Sequence, residues 1–154
     1  HCIAEAELNP ALLELELTES ILVQDANEAL ARLHALAELG VSLAIDDFGT
    51  GYSSLAYLKK FPISKLKIDR TFVMGLPEDE SDRAIVGATV AMARALKLSV
   101  VAEGVETQAQ CDYLRELQCA SFQGFLCSPG LPAAEFEALA ARLTPPPIPG
   151  ALGF

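Results

Sequence analysis

The chain has 154 residues, the size of a single domain, and its 51% apolar composition supplies a core and excludes wholesale disorder. Acidic residues outnumber basic ones, 21 against 11, for a net charge of −10. Duplex nucleic acid and anionic membrane repel such a chain, so an anionic ligand needs local help, most simply a cation held by carboxylates.

Four cysteines, Cys2, Cys111, Cys119 and Cys127, form no CxxC pair and no zinc-spaced array. A chain with this much core does not need disulfides, so free thiols in a reducing cytoplasm are expected. The most apolar stretch, Ile85–Leu98, is broken by Arg94 and Lys97 and is too short to cross a bilayer. The start, HCIAEAELNP, lacks the basic end and apolar run of a signal peptide. It also lacks a Met, so the chain is expected to derive from something longer.

In chain order, short runs of Val, Ile and Leu alternate with helical patterns. Leu12–Leu17 predicts the first strand. Asp25 or Asn27 caps a helix with Leu30, Leu33 and Leu36/Ala37 on one face, stopped by Gly40. Val41–Ile45 predicts the second strand, followed by a Gly-rich turn and the segment Ser53–Phe61. Lys65–Ile68 predicts the third. Ser81 opens a helix whose apolar face is Ile85, Val86, Thr89, Ala93 and Leu96. Ser99–Ala102 predicts the fourth strand, Thr107 caps a helix to about Leu117, and Ala120–Leu126 predicts a fifth strand. A last helix covers Ala133–Leu143. The remainder, residues 144–154, holds four of the nine prolines and predicts an extended, mobile tail. Strand and helix alternating in this way argue an α/β fold with a parallel sheet, open or closed, and helices outside it.

Each predicted strand carries a charged or amide group near its C-terminal end. These are Glu16 with Glu19; Asp46 with Asp47; Lys67 with Asp69; Glu103 with Glu106; and Gln123. In barrels built of alternating strands and helices, that end is where sites form. Four carboxylates brought together there require a cation. All-oxygen ligation points to Mg²⁺ or Mn²⁺, with Ca²⁺ as an inert mimic. Adjacent aspartates can bridge two ions, a recurrent device for cutting phosphodiesters. Each group also has a plainer role: Asp and Glu cap helices, Asp46–Asp47 before Gly49 can be a simple turn, and Lys67 can be a surface residue. His1 and His34 have no metal partner at useful spacing. The plainer roles do not explain polar groups on all five strands together.

ELTES (16–20), AIDDFGTGYSSL (44–55), LKIDRTFV (66–73), VAEGVET (101–107) and QGFL (123–126) resemble, in order and spacing, the later motifs of EAL domains, bacterial phosphodiesterases of cyclic-di-GMP. The resemblance implies about five βα units of a TIM-type (β/α)8 barrel, over residues 1–143. It implies two ions, Mg²⁺ or Mn²⁺ with Ca²⁺ inhibitory, held by Glu16, Asp46, Asp47 and Glu103. Glu103 would also be the general base, and Lys67 would hold the attacking water and the phosphate. Glu19 would pin the loop Phe48, Gly49, Thr50 and Gly51, which shapes the substrate site and a dimer face. Asp69, Glu106 and Gln123 would orient substrate and ligands.

The implied partners are cyclic-di-GMP, a second copy or the family's N-terminal strands, and sensory or GGDEF (cyclase) domains of a parent protein. The implied location is cytoplasmic. The segment with the family's Glu-Ala-Leu and a metal-binding Asn does not precede Leu12. A full barrel takes about 250 residues, so this sequence is expected to be the C-terminal two-thirds of one. CSPG (127–130) departs from the family's usual aromatic-Ser-Lys-Pro. Two alternatives stay open: an EAL module that binds cyclic-di-GMP or a protein without cutting, and an enolase-like one-metal barrel.

Overall fold

The computed structural model describes residues 2–18, 26–51, 58–119 and 121–143. Five parallel strands form one sheet in the order β1-β2-β3-β4-β5: β1 Glu14–Thr18, β2 Ser42–Phe48, β3 Lys65–Ile68, β4 Ser99–Ala102 and β5 Ser121–Phe122. The helices are α1 Cys2–Glu5, α2 Ala26–Glu38, α3 Arg70–Val73, α4 Glu80–Ala95, α5 Gln108–Glu116 and α6 Ala133–Leu143. Sequential parallel pairing, with helices between β1 and β2, β3 and β4, and β4 and β5, is the arrangement the alternating pattern predicts.

The apolar strand runs form two adjoining cores. One packs Leu33 of α2 and Ala93 of α4 against Leu43, Ile45 and Leu66 of β2 and β3. The other packs Val86 and Val90 of α4 and Leu114 of α5 against Ile68 and Ala102. Ile45, Leu66, Ile68 and Ala102 are fully buried. Each of the Ile and Leu side chains among them is worth about 1.5–3 kcal/mol of transfer free energy.

The predicted boundaries shift where local chemistry intervenes. Asn9 accepts from the Ala11 amide, and Pro10 starts a 3-10 turn through Leu12, so β1 begins at Glu14 rather than Leu12. β2 runs on to Phe48, so Asp46 and Asp47 lie within the strand rather than after it. β5 stops at Phe122 because the chain turns at Gly124, where Leu126 N donates to Val105 O. Asp79, not Ser81, caps α4, accepting from the Ser81 and Asp82 amides. Thr107 caps α5, in a reciprocal box with Gln110. All four cysteines are free thiols. Among the described residues, no helix is long and apolar enough to cross a membrane.

Candidate metal centre at the strand ends

The strands bring four of the predicted residues to one place. Lys67, on β3, is buried, and its Nζ lies 2.8 Å from Glu16 Oε1, 2.9 Å from Asp46 Oδ1 and 2.7 Å from Glu103 Oε1. These three partners come from β1, β2 and the residue after β4. Burial opposes the charge on Lys67. The Glu103, Glu16 and Asp46 carboxylates outweigh that cost and hold the ammonium above the usual lysine range. Gln123 Nε2 donates to the same Glu103 oxygen at 2.9 Å. Two donors, one on β3 and one just after β5, thus fix the Glu103 carboxylate.

Asp46 and Asp47 are consecutive on a strand, where side chains ordinarily alternate between faces. Here the register with β3 shifts between Ile45 and Phe48, and Asp47 takes a left-handed φ of 53°. The resulting bulge lets both aspartates reach the same spot. Ligand oxygens of Asp46, Asp47 and Glu103 all lie within 4.8 Å of one another. Asp47 is pushed above the usual carboxylate range by its hydrogen bond with Asp69, by burial and by the charges of Asp46, Asp69 and Glu103. Burial also pushes Asp69 up, but hydrogen bonds from the Thr71 hydroxyl and amide and from Asp47, with the Arg70 charge, outweigh it and lower Asp69. Of this hydrogen-bonded pair, Asp47 is thus the carboxyl that holds a proton more readily.

The donor set fits a divalent ion. Asp46 Oδ1 is buried and, although Lys67 is close, has no hydrogen-bond partner among the described residues. The Lys67 ammonium at 2.9 Å offsets part of the cost of burying that oxygen, and the converging oxygens of Asp46, Asp47 and Glu103 are the hard donors that a divalent cation takes.

The remaining predicted residues surround this cluster. Asp69 caps α3, accepting from the Thr71 amide at 2.8 Å and from the Thr71 hydroxyl. Phe48 is buried in the first core, and the Thr50 hydroxyl closes back on Asp47 O at 2.9 Å. Gly49 has φ 102°, and a Cβ there would meet Phe72 at 2.9 Å. Gly51 ends this described segment. Glu106 is exposed, beside Glu103 on the wall of a cavity of about 840 Å³. Glu19, Asp25, the Ser53–Tyr57 stretch, Ala120 and the 144–154 tail lie outside the described residues.

Sequence reasoning missed two contributors. Arg70 lines the cavity next to Glu103, and nothing in its spacing marks it. Gln110 is buried, and its Oε1 accepts from the Glu106 and Thr107 amides at 2.8 and 2.9 Å, which holds the loop after β4. The Thr-x-x-Gln box at 107–110 was the available signal.

Residues 1–130 match the EAL domain family. The chain belongs to that family. The cyclic di-GMP phosphodiesterase NbdA of Pseudomonas aeruginosa is 50% identical over 137 residues, 89% of this chain and 18% of NbdA. MucR of the same organism, a bifunctional diguanylate cyclase/cyclic di-GMP phosphodiesterase, is 52% identical over 134 residues, 87% of this chain and 20% of MucR. A solved MucR phosphodiesterase–c-di-GMP complex superposes with a TM-score of 0.84 at 51% identity, covering 87% of this chain and 54% of that one. BlrP1 of Klebsiella pneumoniae, in a manganese/cy-diGMP complex, gives a TM-score of 0.74 at 37% identity, covering 80% of this chain and 32% of BlrP1. The chain thus spans about a fifth of the curated EAL relatives and about half of the MucR structure. Its five-stranded sheet is part of the EAL-type TIM barrel.

Proposed function

We propose that this chain carries the C-terminal part of a metal-dependent phosphodiesterase that hydrolyses cyclic-di-GMP to linear pGpG. The observation that carries the reading is the convergence of Asp46, Asp47 and Glu103 within 4.8 Å, beside a lysine that ties Glu16, Asp46 and Glu103 together. Membership of the EAL family and the c-di-GMP complexes of its relatives support the substrate. The manganese and calcium complexes of BlrP1 support the metal class, Mg²⁺ or Mn²⁺ in turnover. On this reading residues 1–143 are the domain portion, cytoplasmic, working as a dimer through the Phe48–Gly51 loop or against the rest of its barrel. The cyclase half in the name of MucR supports a GGDEF neighbour in the parent protein.

Glu16, Asp46, Asp47 and Glu103 would hold the ions. Bound there, the ions supply a water of lowered pKa and positive charge for the phosphoryl oxygens. The protein's own groups do the rest. Glu103, with Oε1 held by Lys67 and Gln123, takes the proton of the attacking water at Oε2. Lys67 holds the Glu16, Asp46 and Glu103 carboxylates together at the strand ends and offsets their mutual repulsion. Asp69 draws the Asp47 carboxyl into a fixed direction.

The test is cyclic-di-GMP turnover by the chain in Mn²⁺, with nucleotides separated by chromatography and Glu103→Ala alongside. Linear product from wild type, abolished in the variant while ligand binding persists, is expected. Binding without turnover in wild type would select a non-catalytic module, and a variant as active as wild type would remove Glu103 as base.

A further inference from the structure

We propose that Arg70 binds a phosphodiester oxyanion of the ligand in the cavity beside Glu103, a contact that rests on the cyclic-di-GMP reading above. The residue that would first be given this task is Lys67, but its ammonium is engaged by three carboxylates at 2.7–2.9 Å. A chain of net charge −10 needs another cation facing an anionic dinucleotide. The cavity of about 840 Å³ that opens beside Glu103 supplies one. Among the described residues that line it, Arg70 is the basic side chain, set against Glu103 and Glu106.

Arg70 is also well placed to keep a fixed position. It is the first residue of α3, which Asp69 caps through the Thr71 amide. Its Cβ packs so closely on the loop after β4 that a Cβ on Gly104 would come within 2.6 Å of it. Gly104, with φ 69°, is what permits this approach of Arg70 to the neighbour of Glu103. The exposed guanidinium touches only the soft Met74 sulfur, at 3.8 Å, among the hydrogen bonds it makes to described residues. A ligand phosphate could replace that contact without breaking a salt bridge to any described residue, although the Arg70 charge also acts on Asp69. A planar guanidinium offers a phosphate two parallel donors, which an ammonium does not.

The experiment is equilibrium binding of cyclic-di-GMP to the chain in Ca²⁺ at low salt, for wild type, Arg70→Lys and Arg70→Gln, with unfolding midpoints measured in parallel. Arg70→Gln should bind roughly ten- to a hundredfold more weakly, the range for losing a charged hydrogen bond. Arg70→Lys should fall between, and the gap should narrow in 0.5 M NaCl. Unchanged affinity in Arg70→Gln, or Lys no better than Gln, overturns this contact and leaves the proposed function standing. Failure of wild type itself to bind overturns both.

Discussion

The Lys67 ammonium lies 2.7 Å from the Glu103 carboxylate and, with its contacts to Glu16 and Asp46, takes the central position among carboxylates that would also hold a divalent ion. A buried lysine and a metal are then partly alternative ways of neutralising one negative site.

Lys67→Met removes the cation and leaves the carboxylates facing one another. Loss of one partner of a buried charge cluster costs about 3 kcal/mol, or roughly 6–12 °C in midpoint for a domain of this size. Saturating Mn²⁺ should recover much of the loss, because the variant offers the ion a more negative site. Thermal unfolding in EDTA and in Mn²⁺ reads both, and an identical loss in the two would disprove the shared role.

Asp47→Asn should make the metal-free protein more stable and its Mn²⁺ binding weaker, by roughly tenfold or more. Asn tolerates φ 53° and can donate to Asp69 without a proton to find. The sign of the pH dependence follows from the raised pKa of Asp47. Its contribution is full below the unfolded value of about 3.9 and is lost as pH rises through the folded value. The advantage of Asn over Asp should therefore grow as the pH rises above about 4. Unfolding midpoints across that range in EDTA check it; an advantage that shrinks on raising the pH would refute the assignment.

Gly124→Ala should lower stability by about 1–3 kcal/mol, as overpacking does. Its Cβ would sit 2.2 Å from Val105 O and 2.4 Å from Val105 N, both backbone atoms that cannot step aside. Gln123, one residue away, would lose its hold on Glu103, so turnover should fall more than the stability loss explains. Gly87→Ala is the control: nothing lies within 4 Å, and in the interior of α4 it should stabilise by about 0.5–1 kcal/mol.

Gln110→Ala takes the acceptor from the Glu106 and Thr107 amides and should cost about 1–2 kcal/mol. Gln110→Glu keeps an acceptor at a helix N-terminus and should restore most of it. Denaturant unfolding of the two variants measures the difference; equal losses would show that the cap is not what matters.

Much of this architecture was legible in the residues. Continuous runs such as SLAI and SVVA announce strands covered on both sides, and the polar residue after each run locates the site end. The strand limits were harder. The Pro10 turn is local, capped by Asn9, but the turn at Gly124 is held by backbone hydrogen bonds to Val105 from a distant part of the chain, which no local pattern carries. The adjacent aspartates were visible, but not that they lie inside β2. Arg70 was invisible because its importance comes from its place beside Gly104, not from any spacing. The central place of Lys67 among three carboxylates also required the fold, since its partners lie on three other segments.

The bulge in β2 has a cost that falls on the sheet alone. Deleting residue 47 would return the strand to even pairing with β3 and remove a backbone in the left-handed region. It would also leave one aspartate where two now meet. The change that most improves the sheet is thus among those that most impair the centre. A lineage released from the need to cut its ligand has a downhill route to a more stable barrel that has lost its second carboxylate.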